Sequence, residues 1–260
     1  MFYSIDTNIA LGILNKYDRL HELSVSLIKR IRGDLIIVQT VVNEICKVYP
    51  DKVYDAIKPF IDLYRSLILA LPPESEIEKR EEALLNDLLK NHPRMANFYK
   101  LALETARKQR AKNGLIGSIY GLMDYYMRIG KCSNLITLLK KIVKDLNSSI
   151  KVYAFGFDYI LEFDSQEELK EFVELVDQVK KRTHKFWSGV KKSKDFEIFV
   201  EFVAMFAGEL KEPAVFITDD KDFVKCAKKS LEALKDFIDI SNLSFYQLND
   251  FLNLGLNRNC

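Results

Sequence analysis

Four acids stand where a carboxylate could do chemistry. Asp6 lies in "SIDTN" (4–8), just past a short apolar run; Glu44 lies in "VVNEIC" (41–46), Asp195 in "KDFEIF" (194–199) and Asp220 in "FITDDKDF" (216–223). Asp6 has two readings. It could cap the helix that follows, because Asp, Thr and Asn accept hydrogen bonds from the free N–H groups of a first turn. It could equally be a metal ligand at the carboxyl end of a strand, where open α/β sheets place their chemistry. Carboxylates gathered from distant positions repel unless a cation lies among them, and oxygen ligands without a His or Cys cluster suit Mg²⁺ or Mn²⁺. A divalent ion held in this way lowers the pKa of a bound water and stabilises charge building on a phosphoryl group.

Those acids need a scaffold that brings sequence ends together. The opening reads as strand, helix, strand: an extended run at 2–5, apolar helical spacing from Ile9 to Ile31 with a break near Tyr17, and the β-branched run "DLIIVQT" (34–40). Thr40 could cap the next helix. Short joints between such elements imply a right-handed parallel crossover. From 51 to 149 the pattern is helical throughout, interrupted by "PPES" (72–75), with no convincing strand. Extended structure returns at "IKVYAFGFDYILEF" (150–163), then at "AVFIT" (214–218), with a short strand expected at "FIDI" (237–240) and a closing helix through "SFYQLNDFLN" (244–253). Ser165 and Glu168 have capping-box spacing before a helix. The expected architecture is a three-layer α/β/α domain with a central parallel sheet, built from 1–50 and 150–260 and interrupted by an all-helical insertion over 51–149.

The four blocks together resemble the PIN-domain ribonucleases, which open on Asp-Thr/Ser-Asn/Ser and carry a helical Glu, a D-x-x-I helix and a T-x-D-x-D-F block. "ITDDKDF" after a strand is the most specific of the matches. The resemblance covers residues 1–49 and about 150–260, while the helical insertion is foreign to it. It implies that Asp6, Glu44, Asp195 and Asp220 form a catalytic, Mg²⁺- or Mn²⁺-binding quartet, that Asp222 is an accompanying metal ligand, and that Asn8 and Thr218 orient ligands or water. It implies an endoribonuclease acting on RNA, and homodimers are common among PIN relatives. The insertion would suit a protein partner. Phe196, Phe199 and Phe202 stand where small residues are usual on that helix, so the site there is expected to be narrower. A non-catalytic RNA-binding or scaffolding module is the alternative on the same fold. A phosphatase of the haloacid dehalogenase type would want a second Asp two residues after the first, and Asn8 stands there.

Net charge is only +2, with both signs spread along 260 residues, so any nucleic-acid contact must be local. "KKRTHKFWSGVKKSK" (180–194) is the suggestive stretch. Lys180, Lys181, Arg182, Lys185, Lys191 and Lys192 surround Trp187, the mixture that single-stranded RNA needs for backbone neutralisation and stacking, although a lone Trp also suits a core. "ARKQRAKNG" (106–114) could line an RNA groove or form a solvated face. Cys46, Cys132, Cys226 and Cys260 are widely spaced with no CxxC pair, and are read as reduced thiols of a cytoplasmic protein. No apolar run reaches the roughly 20 residues of a membrane span. Abundant Lys, Glu and Ile with scarce Gln match a hyperthermophile bias.

Overall fold

Apolar runs too short for helices become strands. A computed structural model describes residues 1–15, 18–70, 72–91, 96–158, 165–188 and 193–254. In it β1 (Phe2–Ile5), β2 (Asp34–Ile37), β3 (Val152–Ala154), β4 (Ala214–Thr218) and β5 (Leu243–Gln247) form one parallel sheet in the order β3-β2-β1-β4-β5. Every residue of β4 is buried, as expected of a central parallel strand covered on both faces. The order and the right-handedness of parallel crossovers are consistent with helices on both sides of the sheet. Winding reverses between β1 and β4, which pair in register from Phe2 opposite Ala214 to Ile5 opposite Ile217. At such a reversal the connections diverge to opposite faces, and a crevice opens at the carboxyl ends of the two strands.

Between the strands run α1 (Thr7–Leu14), α2 (His21–Arg30), α3 (Gln39–Leu69), α4 (Glu74–Asn91), α5 (Ala96–Gly130, broken at Gly114 with φ of 73°) and α6 (Cys132–Leu146). After β3 come α7 (Gln166–Thr183), a short 3₁₀ turn at His184–Phe186, α8 (Ser193–Val203) continued as π-helix over Ala204–Leu210, then α9 (Lys221–Leu234) and α10 (Leu248–Leu254). At the capping-box spacing, Ser165 accepts from Glu168 N at 3.1 Å.

Two strand expectations are corrected. "FIDI" is not a strand but irregular chain leaving a turn, because Phe237 and Ile238 both donate back to the Leu234 carbonyl at 2.8 and 3.0 Å. The last strand is instead Leu243–Gln247, overlapping the start of the stretch read as helix. Leu243 and Phe245 are buried in alternation, but the strand runs into α10 with no Gly or Pro between them, so one apolar pattern covered two elements. β3 is shorter than the expected strand, and 159–164 lie outside the described residues.

The chain divides into two compact units: Met1–Ile45 with Ile136–Cys260, and Cys46–Leu135. The boundaries expected were 50 and 150, so most of α6 falls in the first unit. The second unit has no strand among the described residues. Its core stacks Phe60 on Tyr64 and Tyr99, with ring centroids 5.6 and 6.1 Å apart. Buried Glu81 accepts from the Tyr64 hydroxyl at 2.9 Å, from Arg107 Nε at 2.8 Å and from Arg110. Two cations of "ARKQRAKNG" are therefore spent on neutralising one buried carboxylate rather than left for a phosphate backbone.

The expectation of four reduced thiols is also corrected: Cys46 and Cys132 form a disulfide with Cα atoms 4.9 Å apart. Spacing in sequence gave no sign of it, since 86 residues separate the pair and only the helical fold returns one to the other. The bond closes the second unit near its two ends. Cutting it with a dithiol reductant, or replacing both residues by Ser, is expected to cost about 4–5 kcal/mol through the entropy returned to the unfolded chain, given the 86-residue loop. Denaturant unfolding followed by circular dichroism would show the loss, and an unchanged midpoint would contradict it. Among the described residues no helix is long and apolar enough to cross a membrane.

Candidate active site

The two readings of Asp6 turn out to be one arrangement. Its Oδ1 caps α1, accepting from Ile9 N at 2.8 Å, while its Oδ2 accepts from the Thr218 hydroxyl at 2.5 Å and from Asp219 N at 3.4 Å. The side chain is buried at the end of β1, across from the end of β4. Burial pushes the carboxyl up from 3.8 to about 7, with the Asp219 charge adding to the rise, against the lowering effect of Thr218 and the backbone donors. A cation sharing the site would favour the charged form of such a group.

Thr218 closes the β4 side. Its hydroxyl donates to Asp6 and accepts from Asp220 N at 3.0 Å, which ties the loop after β4 to the end of β1. Asp220 then caps α9, its Oδ1 accepting from Asp222 N at 2.8 Å and Phe223 N at 3.1 Å. Asp219 turns elsewhere, accepting from Asn8 Nδ2 at 3.0 Å and from Arg19 at 2.6 Å. Asp222 is exposed in the first turn of α9.

Glu44 comes from α3. The Thr7 hydroxyl donates to its Oε2 at 2.6 Å, and the Lys194 ammonium lies 3.8 Å from its Oε1. Thr40 does not cap this helix with its own side chain. The cap comes from Glu201 on α8, whose two oxygens accept from Gln39 N at 2.6 Å and Thr40 N at 2.9 Å. Burial raises the Glu201 carboxyl, and the α3 donors oppose that rise. Glu197, its neighbour one turn back on α8, is exposed.

The pieces meet around one small cavity of about 40 Å³, lined by Asp6, Thr7, Asn8, Glu44, Asp195, Ile198, Thr218, Asp220 and Phe223. All four acids of the expected quartet are there, contributed by the ends of β1 and β4 and by α3 and α8, together with both expected supporting residues. Asp222 is not among the lining residues. Three further contributors lie outside the expected quartet: Thr7, Lys194 and Glu201. Thr7 left no signal beyond its place beside Asp6. Glu201 did, as one charge in the otherwise apolar "IFVEFVAMFA" (198–207), where a half-buried carboxylate favours a partner.

In chemical character the lining fits a hard divalent cation: carboxylate and hydroxyl oxygens, no His or Cys, and room for little more than an ion and a water or two. In spacing it is looser. Among the described residues no three His, Cys, Asp or Glu side chains gather closely enough to hold one metal ion as they stand.

The basic segment is only partly available to RNA. Lys180, Lys181, Arg182 and Lys185 are exposed, Arg182 lying over the Phe237 ring at 4.4 Å from its centroid. Trp187 is corrected from stacking platform to core residue. It is 5% exposed, its Nε1 donates to Ser230 at 2.9 Å, and its ring packs on Phe196, Phe199 and Phe223 at centroid distances of 5.8, 5.2 and 5.2 Å. Phe199 and Phe202 are likewise buried and belong to the same aromatic core. Lys191 and Lys192 lie outside the described residues.

These features define an α/β protein with a parallel sheet and an acidic cavity at its carboxyl edge. No family model matches the chain, and neither a curated protein nor a solved structure matches it.

Proposed function

We propose that this chain is a Mg²⁺- or Mn²⁺-dependent endoribonuclease of PIN type, hydrolysing RNA phosphodiester bonds at the acidic cavity. The observation that carries the reading is that Asp6, Glu44, Asp195 and Asp220, spread over more than 200 residues, line one cavity at the reversal point of the sheet. When bound, a divalent cation would supply Lewis-acid stabilisation of phosphoryl charge and a more acidic water.

The chain's own residues orient the acids. Asp6 is fixed by backbone donors and by the Thr218 hydroxyl, Asp220 by the N–H groups of Asp222 and Phe223, and Glu44 by Thr7, so the carboxylates do not swing freely. Ile198 and Phe223 form an apolar wall that lowers the local dielectric and strengthens charge interactions. A cavity of about 40 Å³ is far below the roughly 300 Å³ of a small-molecule pocket. A nucleotide cannot enter it; a chain phosphate can lie across its mouth, with exposed Lys180, Lys181 and Lys185 available to other phosphates.

The second reading is a non-catalytic RNA-binding or scaffolding module on the same fold. Cleavage of end-labelled single-stranded RNA in Mn²⁺ separates the two. Glu44→Gln is expected to slow wild-type cleavage by about 100-fold or more, the order that follows from losing a few kcal/mol of transition-state stabilisation. RNA binding without cleavage by the wild type would favour the module.

A further inference from the structure

A carboxylate inside an apolar helix face has to be used for something. Glu201 sits between buried Val200 and Phe202, and both of its oxygens leave α8 for the first two N–H groups of α3, at 2.6 and 2.9 Å. The residue before α3 is Val38, which has no polar side chain to cap that helix. An ordinary cap comes from the adjoining residue and fixes only its own helix. This one comes from 161 and 162 residues away, and from the helix that carries Asp195 and Ile198. Glu44 follows within α3, little more than one turn past the capped groups.

We propose that Glu201 is a positioning residue of the acidic cavity, acting through Glu44 and thereby setting cation affinity. The proposal rests on the metal-dependent reading given above. The two hydrogen bonds fix the start of α3 against α8 to within a bond length, so Glu44 and Asp195 keep a constant separation across the cavity. Thr7 then sets the rotation of Glu44 at its tip. Site geometry tolerates little error, since displacement by about 1 Å can cost on the order of 100-fold in function. In Glu201→Gln one oxygen becomes an NH₂ facing a backbone N–H, and one of the two bonds must open.

The test is a double-mutant cycle on Mn²⁺ affinity, measured by calorimetry on the full chain with Glu201→Gln, Glu44→Asp and both together. The expected result is a loss of about tenfold or more for Glu201→Gln, and a loss in the double variant clearly smaller than the product of the single losses. Glu197→Gln, which removes an exposed charge from the same helix without touching α3, is expected to stay within about twofold of wild type. If Glu201→Gln fails to fold by circular dichroism, Glu201→Asp takes its place in the cycle, keeping the charge and shortening its reach. Multiplicative losses would assign Glu201 a merely structural role and overturn the proposal. So would wild-type affinity in Glu201→Gln, or an equal loss in Glu197→Gln. A wild type that binds no Mn²⁺ would overturn the metal-dependent reading and this proposal with it.

Discussion

Asp6→Asn is expected to abolish Mn²⁺ binding and RNA cleavage and, at pH 8, to make the metal-free protein more stable than wild type. The sign follows from burial. A rise of the Asp6 carboxyl from 3.8 to about 7 amounts to roughly 4 kcal/mol against the ionised form. Because the folded value lies above the unfolded one, the stability from the neutral carboxyl is fully present below about pH 4 and is lost as pH rises through about 7. The wild-type protein should therefore weaken between those limits, while the Asn variant, which cannot ionise, should not. Asn keeps the cap on α1, since its Oδ1 can still accept from Ile9 N, while its Nδ2 loses the long bond from Asp219 N and turns the Thr218 hydroxyl from donor to acceptor. Thermal unfolding at pH 5 and pH 8 reads the effect directly: the variant gains on wild type only at the higher pH. Saturating Mn²⁺ should raise the midpoint of the wild type alone. A variant that is less stable than wild type at pH 8, or that still shifts with Mn²⁺, would contradict the assignment.

Trp187→Ala is expected to destabilise the α/β unit by about 3–5 kcal/mol, the cost of deleting a large core aromatic. For a unit of this size that lowers the melting midpoint by roughly 10 °C. The side chain is buried among three Phe rings, and its removal also strips the buried Ser230 hydroxyl of its donor. One of those rings belongs to Phe223, which lines the cavity, so affinity at the acidic site should suffer as a secondary effect. A surface stacking residue would behave in the opposite way, weakening RNA binding while leaving the midpoint in place. Melting curves for Trp187→Ala and Trp187→Phe, with RNA binding measured well below both midpoints, distinguish a core role from a surface one.

Much of the α/β framework is legible in the residues because parallel strands announce themselves. "FYSI", "DLII" and "AVFIT" are short, mostly apolar and followed within a few residues by a helix. Asp6 and Asp220 were legible for the same reason, lying at such junctions, whereas Glu44 and Asp195 stand within helices. What could not be read depended on partners remote in sequence. The Cys46–Cys132 bond needs a helical return of 86 residues, and Trp187 is core only because α8 and α9 bring three Phe rings to it. β5 escaped because strand and helix patterns abut there without a breaker. Glu201 shows the intermediate case. Its misfit among apolar neighbours is visible in the sequence, but the N–H groups it serves can be found only in three dimensions.

The central claim is that acids from both ends of the chain hold one divalent cation. Calorimetric titration of Mn²⁺ into wild type, Asp6→Asn and Asp220→Asn tests it most directly. The expected result is a single binding event in the wild type that disappears in both variants. Either no binding by the folded wild type, or binding that survives both substitutions, would contradict it.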